Sequence, residues 1–164
     1  MAKVNDSSES LGSGPELALL LLAGFRSMVE KGMSQLERQG HPNVRPAHEF
    51  ALRAIRSGAD NAGDLAKRLS VSKQAAAKTI TALEGRGYIT RSQDPEDSRR
   101  KQIVLTSHGN EMLAVGQRIF DAIRQEWEQQ LGGQALANME ANLRELVGDR
   151  FAGFDTAGWF SNHD

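Results

Sequence analysis

Cysteine is absent from this 164-residue chain, which excludes disulfide staples, Cys-based zinc sites and any thiol redox sensor. Aromatic residues are scarce, at 5%, a supply that suits helices packed through Leu, Ala and Ile better than an all-β sandwich. The four prolines, Pro15, Pro42, Pro46 and Pro95, each fall at a break in the hydrophobic pattern. There is no long apolar run. Leu17 to Ala23 is followed within two turns by Arg26, Glu30 and Lys31, well short of the ~20 residues a membrane span needs. Asp6 and Glu9 stand where a secretory signal would carry basic residues, so the expected location is the cytoplasm.

Catalytic patterns are missing too. The chain has no phosphate-cradling Gly-rich loop, no Gly-x-Ser-x-Gly elbow and no His-Glu-x-x-His pair. His41, His48, His108 and His163 are scattered over loops and helix starts, without the i, i+4 spacing of a helical zinc site. The residues point away from an enzyme and require neither metal nor cofactor.

What is present is an uneven charge. The net charge is −1, but residues 64–106 carry +4 and residues 107–164 carry −5. A basic middle between a neutral and an acidic arm is the footprint expected when one subdomain meets phosphate. Chance clustering would give the same numbers, so the pattern has to be read along the chain.

Residues 1–14 are rich in Ser, Gly, Asp and Glu and have little to bury, which reads as a disordered tail; Gly12-Ser13-Gly14 reads as a linker. From residue 15 to about 38, Leu17, Leu20, Leu21, Phe25, Met28 and Leu36 recur at helical spacing, and Gly40-His41-Pro42-Asn43 stops that helix. A second helix opens on Pro46, a good first-turn residue, and ends at Ser57-Gly58. Asn61 caps a short third helix with Asp64 three residues on. Ser72 caps a fourth, over residues 73–86, that buries Ala76, Ile80 and Leu83 and stops at Gly87. The period then changes to two: residues 88–91 and 102–105 read as strands around the turn Asp94-Pro95-Glu96-Asp97. Thr106 caps a long helix that Gly132-Gly133 breaks, and a last helix carries Leu136, Met139, Leu143, Leu146 and Val147.

Two short helices joined by a tight link, the second rich in small and cationic side chains, form a helix-turn-helix signature. Ala75, Ala76 and Ala77 let the second helix pack closely on the first. Lys73, Gln74, Lys78 and Thr79 stand near its start, where Gln can pair with adenine and Lys with guanine. The Ser72 cap leaves a positive helix end able to face phosphate. A helix with a merely solvated basic face would satisfy the same residues, so this segment alone decides little. The hairpin adds weight. Ser98-Arg99-Arg100-Lys101 puts three positive charges at one tip, where like charges only repel; they make sense along a minor groove, with Asp97 orienting Arg99 through a charge-assisted hydrogen bond. The candidate DNA-contacting set is Ser72, Lys73, Gln74, Ala76, Lys78, Thr79, Arg86, Arg91, Asp97, Arg99, Arg100 and Lys101.

Val71-Ser72-Lys73-Gln74-Ala75, Leu83-Glu84, Gly87-Tyr88-Ile89, Asp94-Pro95-Glu96-Asp97, Arg99 and Leu105-Thr106 with Gly109 together resemble the multiple-antibiotic-resistance regulator (MarR) family. The resemblance runs from about Pro15 to Val147. It implies a mainly α winged helix-turn-helix fold with a small β-hairpin. The DNA-binding part would span residues 46–106, and dimerisation helices 15–40 and 107–147 would flank it, with residues 148–164 as a tail. It implies a homodimer whose recognition helices enter successive major grooves, with Asp97 and Arg99 as the wing pair. Ser98 stands where the family often has Arg, Arg100 where it often has Ala, and Arg45 where a helix start often has Thr. Phe151, Phe154, Trp159 and Phe160 in the tail require cover, from a partner or the chain's own long helices; the alternative is that the tail lines or plugs an effector cavity. The expected function is a cytoplasmic, ligand-responsive repressor on a pseudo-palindromic double-stranded operator, released by a small-molecule effector. The alternative is a winged-helix protein-interaction module with no operator.

Overall fold

Gly14–Arg38 (α1), Pro46–Arg56 (α2), Ala62–Leu69 (α3) and Lys73–Gly85 (α4) precede the hairpin strands Ile89–Gln93 (β1) and Lys101–Leu105 (β2), and Ser107–Leu131 (α5) and Gly133–Val147 (α6) follow. This order is the one the periodicity predicts. The computed structural model describes residues 12–94 and 101–148.

Short polar side chains set where the helices begin, because the first N–H groups of a helix have no partner within it. Asn61 Oδ1 accepts from the Asp64 N–H at 3.0 Å, Ser72 Oγ from Ala75 at 3.1 Å and Thr106 Oγ1 from Gly109 at 3.0 Å. Ser13 was expected in a linker, but its Oγ accepts from the Glu16 N–H at 3.2 Å and helix starts at Gly14. A serine in extended conformation before Pro-Glu is a start signal, and it outweighs the flanking glycines. At α2 the starting residue is Arg45, whose side chain makes no cap bond; its own N–H donates to His48 Nδ1 at 3.2 Å instead.

The core joins five elements. Leu52 of α2, Leu65 of α3, Leu83 of α4 and Met112 of α5 have no exposed surface, and Ile89 of β1 is 2% exposed. Burying a side chain of this size stabilises by roughly 1.5–3 kcal/mol, so the four helices and the hairpin hold one another. Ser70, with φ +51°, turns the chain between α3 and α4. At the far end of α4, the Tyr88 N–H bonds the Leu83 carbonyl at 3.0 Å, and β1 begins one residue later than the alternation predicts. The strands pair antiparallel, Ile89 opposite Leu105 and Gln93 opposite Lys101. Ile103 N–H donates to the Asp60 carbonyl at 2.8 Å, hooking the hairpin onto the α2–α3 link.

The long helices form an arm beside this unit. α1 lies close on α5, with Gly32 facing the Phe120 ring and Gly24 facing Trp127, and Lys31 is ion-paired with Glu126. Gly132, at φ +87°, is the single residue between α5 and α6. Arg124 Nε donates to Glu140 Oε1 at 2.7 Å across that bend. Of the stripe expected to cover α6, only Leu136 is buried. Leu17, Leu19, Leu20, Leu21, Leu22, Leu131 and Leu146 are exposed, Leu20 at 64% and Leu146 at 73%. Among the described residues, no helix is long and apolar enough to cross a membrane.

Candidate nucleic-acid interface

One side of α4 is fixed and the other is open. Ala76, Ile80 and Leu83 are buried, and the small Ala76 side chain, 0% exposed, lets α4 lie tightly against α3. Placing Ala76 among the contacting residues was therefore wrong: the position packs the helix and presents nothing. Thr79 is half-buried and spends its hydroxyl on the Ala75 carbonyl at 3.1 Å. Ser72, Lys73, Gln74 and Lys78 are exposed. Gln74 and Lys78 are one turn apart and so share a face, with Lys73 beside them and the Ser72-capped N-terminus below. This group combines a hydrogen-bonding amide, two ammonium groups and a positive helix end on a rigid element.

The remaining candidates divide. Lys101 is exposed at the start of β2. Arg91 is exposed on β1, and its Nε donates to Glu84 Oε2 of α4 at 3.3 Å, which braces the hairpin on the helix. Arg86 caps the other end of α4, some 20 Å along the axis from its start. Its guanidinium donates to the Pro42 carbonyl at 3.1 Å, so the structure does not bring it into the group around Gln74. Asp97, Arg99 and Arg100 lie outside the described residues, as does the aromatic segment from Phe151 to Phe160.

Sequence reasoning missed two features because each is assembled from distant segments. Phe25, Met28, Met33, Phe50 and Phe120 line an apolar groove of about 290 Å³ between α1, α2 and α5. Its polar edge is the Glu49–Arg53 pair, with Arg53 Nη2 at 2.6 Å from Glu49 Oε1. The second feature is a cluster of rings in which His41 Nδ1 lies 3.1 Å from Tyr88 Oη and His108 stacks on both. The histidines had been read only for metal spacing, and among the described residues no group of three His, Cys, Asp or Glu is placed to hold a metal ion. Burial lowers the pKa of His41 and, with Arg86 and Arg45 adding to it, that of His48 to about 4. Burial raises that of Tyr88.

Residues 53–101 match the model of the MarR family, from the last turn of α2 to the first residue of β2. The transcriptional regulator HosA of Escherichia coli O111:H- is 33% identical over 63 residues, 38% of this chain and 47% of its own length. The chain spans at most about half the length of the curated relatives it matches. A MepR variant of S. aureus bound to an oligodeoxyribonucleotide is 25% identical, with a TM-score of 0.56 over 81% of this chain and 96% of that one. FabT of Streptococcus pneumoniae, in complex with DNA, shares the fold at TM-score 0.69 and 18% identity, over 82% of this chain and 95% of that one.

Proposed function

We propose, from the premise that this chain belongs to the MarR family of regulators, that it is a homodimeric transcriptional repressor released from a pseudo-palindromic operator by a small molecule. MarR-family regulators are DNA-binding proteins and not enzymes, in agreement with the absence of catalytic motifs from the sequence. The observation that carries the reading is the two-sided character of α4. Ala76, Ile80 and Leu83 hold one side in the core while Lys73, Gln74 and Lys78 stand free on the other. A helix held this way can enter a major groove without repacking, and the hairpin braced by Arg91 would follow the adjacent backbone.

Dimerisation is supported by the exposed leucines of α1, α5 and α6, since contiguous apolar surface of this kind requires cover. The second copy supplies it and sets the two recognition helices about 34–36 Å apart. Effector release is supported by the groove between α1, α2 and α5, whose apolar lining and ionic edge suit a small aromatic or aliphatic molecule. It lies at the junction of the arm with the DNA-facing unit, where filling it would alter the spacing of the recognition helices. The site of action is the cytoplasm, where operator DNA lies.

Gel shifts on duplexes from the chain's own upstream region, against scrambled duplexes and across a salt series, test the reading. Sequence-selective, salt-sensitive binding is expected. Equal affinity for both duplexes, or none for either, would turn the reading toward a protein-interaction module.

A further inference from the structure

Three rings from separate stretches of chain meet where the hairpin joins the long helices. His41 lies in the α1–α2 link, Tyr88 precedes β1 and His108 stands in the first turn of α5. Tyr88 and His108 stack with centroids 4.7 Å apart and planes inclined by 22°; His41 and His108 stack at 5.0 Å and 29°. His41 is 2% exposed, whereas His108 and Glu111 face solvent. The backbone converges at the same point. Thr106 N–H donates to the Tyr88 carbonyl at 3.0 Å, Thr106 Oγ1 donates to the Gly87 carbonyl at 2.6 Å, and a methyl group on Gly109 would overlap the Tyr88 carbonyl oxygen. The stack is thus the joint between the DNA-facing unit and the start of α5.

We infer that protonation of His41 opens this stack and, resting on the DNA-binding reading above, releases the protein from DNA. A neutral His41 shares one hydrogen with the Tyr88 hydroxyl through Nδ1. A protonated ring donates from both nitrogens, so the Tyr88 hydroxyl can then only accept from Nδ1, and the new charge sits buried against His108. Tyr88 comes from the hairpin side, His108 and Glu111 from α5, and Arg86 from the end of α4, beside Tyr88. Of these, only the Glu111 carboxylate favours the cation. Burial and His108 oppose it and hold the His41 pKa below the usual 6.5. Opening the stack leaves the hairpin root held to the start of α5 by the Thr106 bonds to the Tyr88 and Gly87 carbonyls without the rings that brace it, and so loosens the orientation of the recognition helix.

The expected sign runs against ordinary electrostatics. Acidification adds positive charge and on that ground tightens DNA binding; the joint predicts weaker binding. Two measurements on the full chain separate the parts. In the free protein, NMR titration should show the Tyr88 ring signals moving with the His41 imidazole, at a midpoint below 6.5. On a duplex from the chain's own upstream region, affinity should fall severalfold from about pH 7.5 to about pH 5.5, with about tenfold as the limit for a group that titrates just below 6.5 and stays neutral on DNA. His41→Asn should abolish the fall over that range, and Tyr88→Phe, which keeps the ring but removes the hydrogen-bond partner of Nδ1, should shift the midpoint. Tyr88 signals that ignore the His41 titration, or affinity that rises on acidification as generic charge predicts, would overturn the inference. If no duplex is bound selectively at any pH, the DNA-binding reading fails on its own, and the NMR titration still decides whether the joint opens.

Discussion

Gly32 of α1 lies so close to Phe120 of α5 that a methyl group in its place would meet Phe120 Cζ at 2.7 Å. The ring cannot advance further into α1, and it also forms one wall of the groove between α1, α2 and α5. Gly32→Ala should therefore drive Phe120 toward that groove and destabilise the chain by roughly 1–3 kcal/mol, read from the urea midpoint. Phe120→Leu in the same chain should recover part of the loss, giving a double-mutant cycle with a coupling well outside additivity. Independent, additive effects would mean that the two residues do not press on each other.

Leu20 offers a cleaner probe of dimerisation than a residue of α6. It is 64% exposed, so Leu20→Asp removes nothing from the chain's own core, whereas Leu143 is half-buried. Leu20→Asp should give monomers by light scattering, with unchanged helical circular dichroism and a large loss of operator affinity. A dimer that survives the substitution would move the interface off the start of α1.

Reading and gripping of DNA should separate by position. Gln74→Ala should relax base preference at one position per half-site, costing roughly 1–3 kcal/mol on the operator and little on scrambled DNA. Arg99→Ala, between β1 and β2 in the sequence, should weaken both duplexes alike and make the salt slope shallower by about one per contact. Ala76→Leu should act on stability instead, because that position is fully buried and an isobutyl group in place of the methyl overpacks it. Affinity against salt for the first two, and thermal melting for the third, check the division. An Ala76→Leu protein that melts normally but changes base preference would return Ala76 to the interface.

His48 gives the fold an acid limit of its own. Its pKa is lowered to about 4, by burial first and then by Arg86 and Arg45, and its Nδ1 accepts the Arg45 N–H at the start of α2. A histidine whose folded pKa lies below its unfolded value, near 6.5, binds more protons when unfolded. Its contribution is whole above about pH 6.5 and is lost as pH falls toward 4. Between pH 7.5 and pH 5 the loss should be on the order of 2 kcal/mol. His48→Asn, which keeps an acceptor near the same place without the titration, should flatten that part of the urea midpoint against pH. An unchanged pH dependence in the variant would show that His48 does not set it.

The element order was legible because the signals are local. Asn61, Ser72 and Thr106 each stand immediately before a periodic apolar stripe, and each caps a helix where that pattern says it should. The exposed cluster of Lys73, Gln74 and Lys78 was legible for the same reason: helical spacing fixes which residues share a face. Ala76 was misplaced because adjacency in sequence was allowed to outweigh the direction of its side chain, although its period with Ile80 and Leu83 already put it in the core. Arg86 and Arg91 carried charge and position but not their partners, Pro42 and Glu84, which only tertiary packing supplies. The groove and the ring stack were invisible because no short window contains Phe25, Phe50 and Phe120, or His41, Tyr88 and His108.

The hydrogen bond from Ile103 to the Asp60 carbonyl bears on how the protein comes to be folded. A two-stranded hairpin is marginal by itself in water, and here β2 finds an additional backbone partner in a segment that left the ribosome well before it. Closing that distance costs chain entropy before any packing compensates, so the hairpin should settle late, after α2, α3 and α4 have come together. Once made, the bond protects the Ile103 amide behind the same cooperative unit as Leu52 and Leu65. Its exchange with deuterium should then proceed only through global opening, at the slow rate of core amides rather than the fast rate of a surface turn.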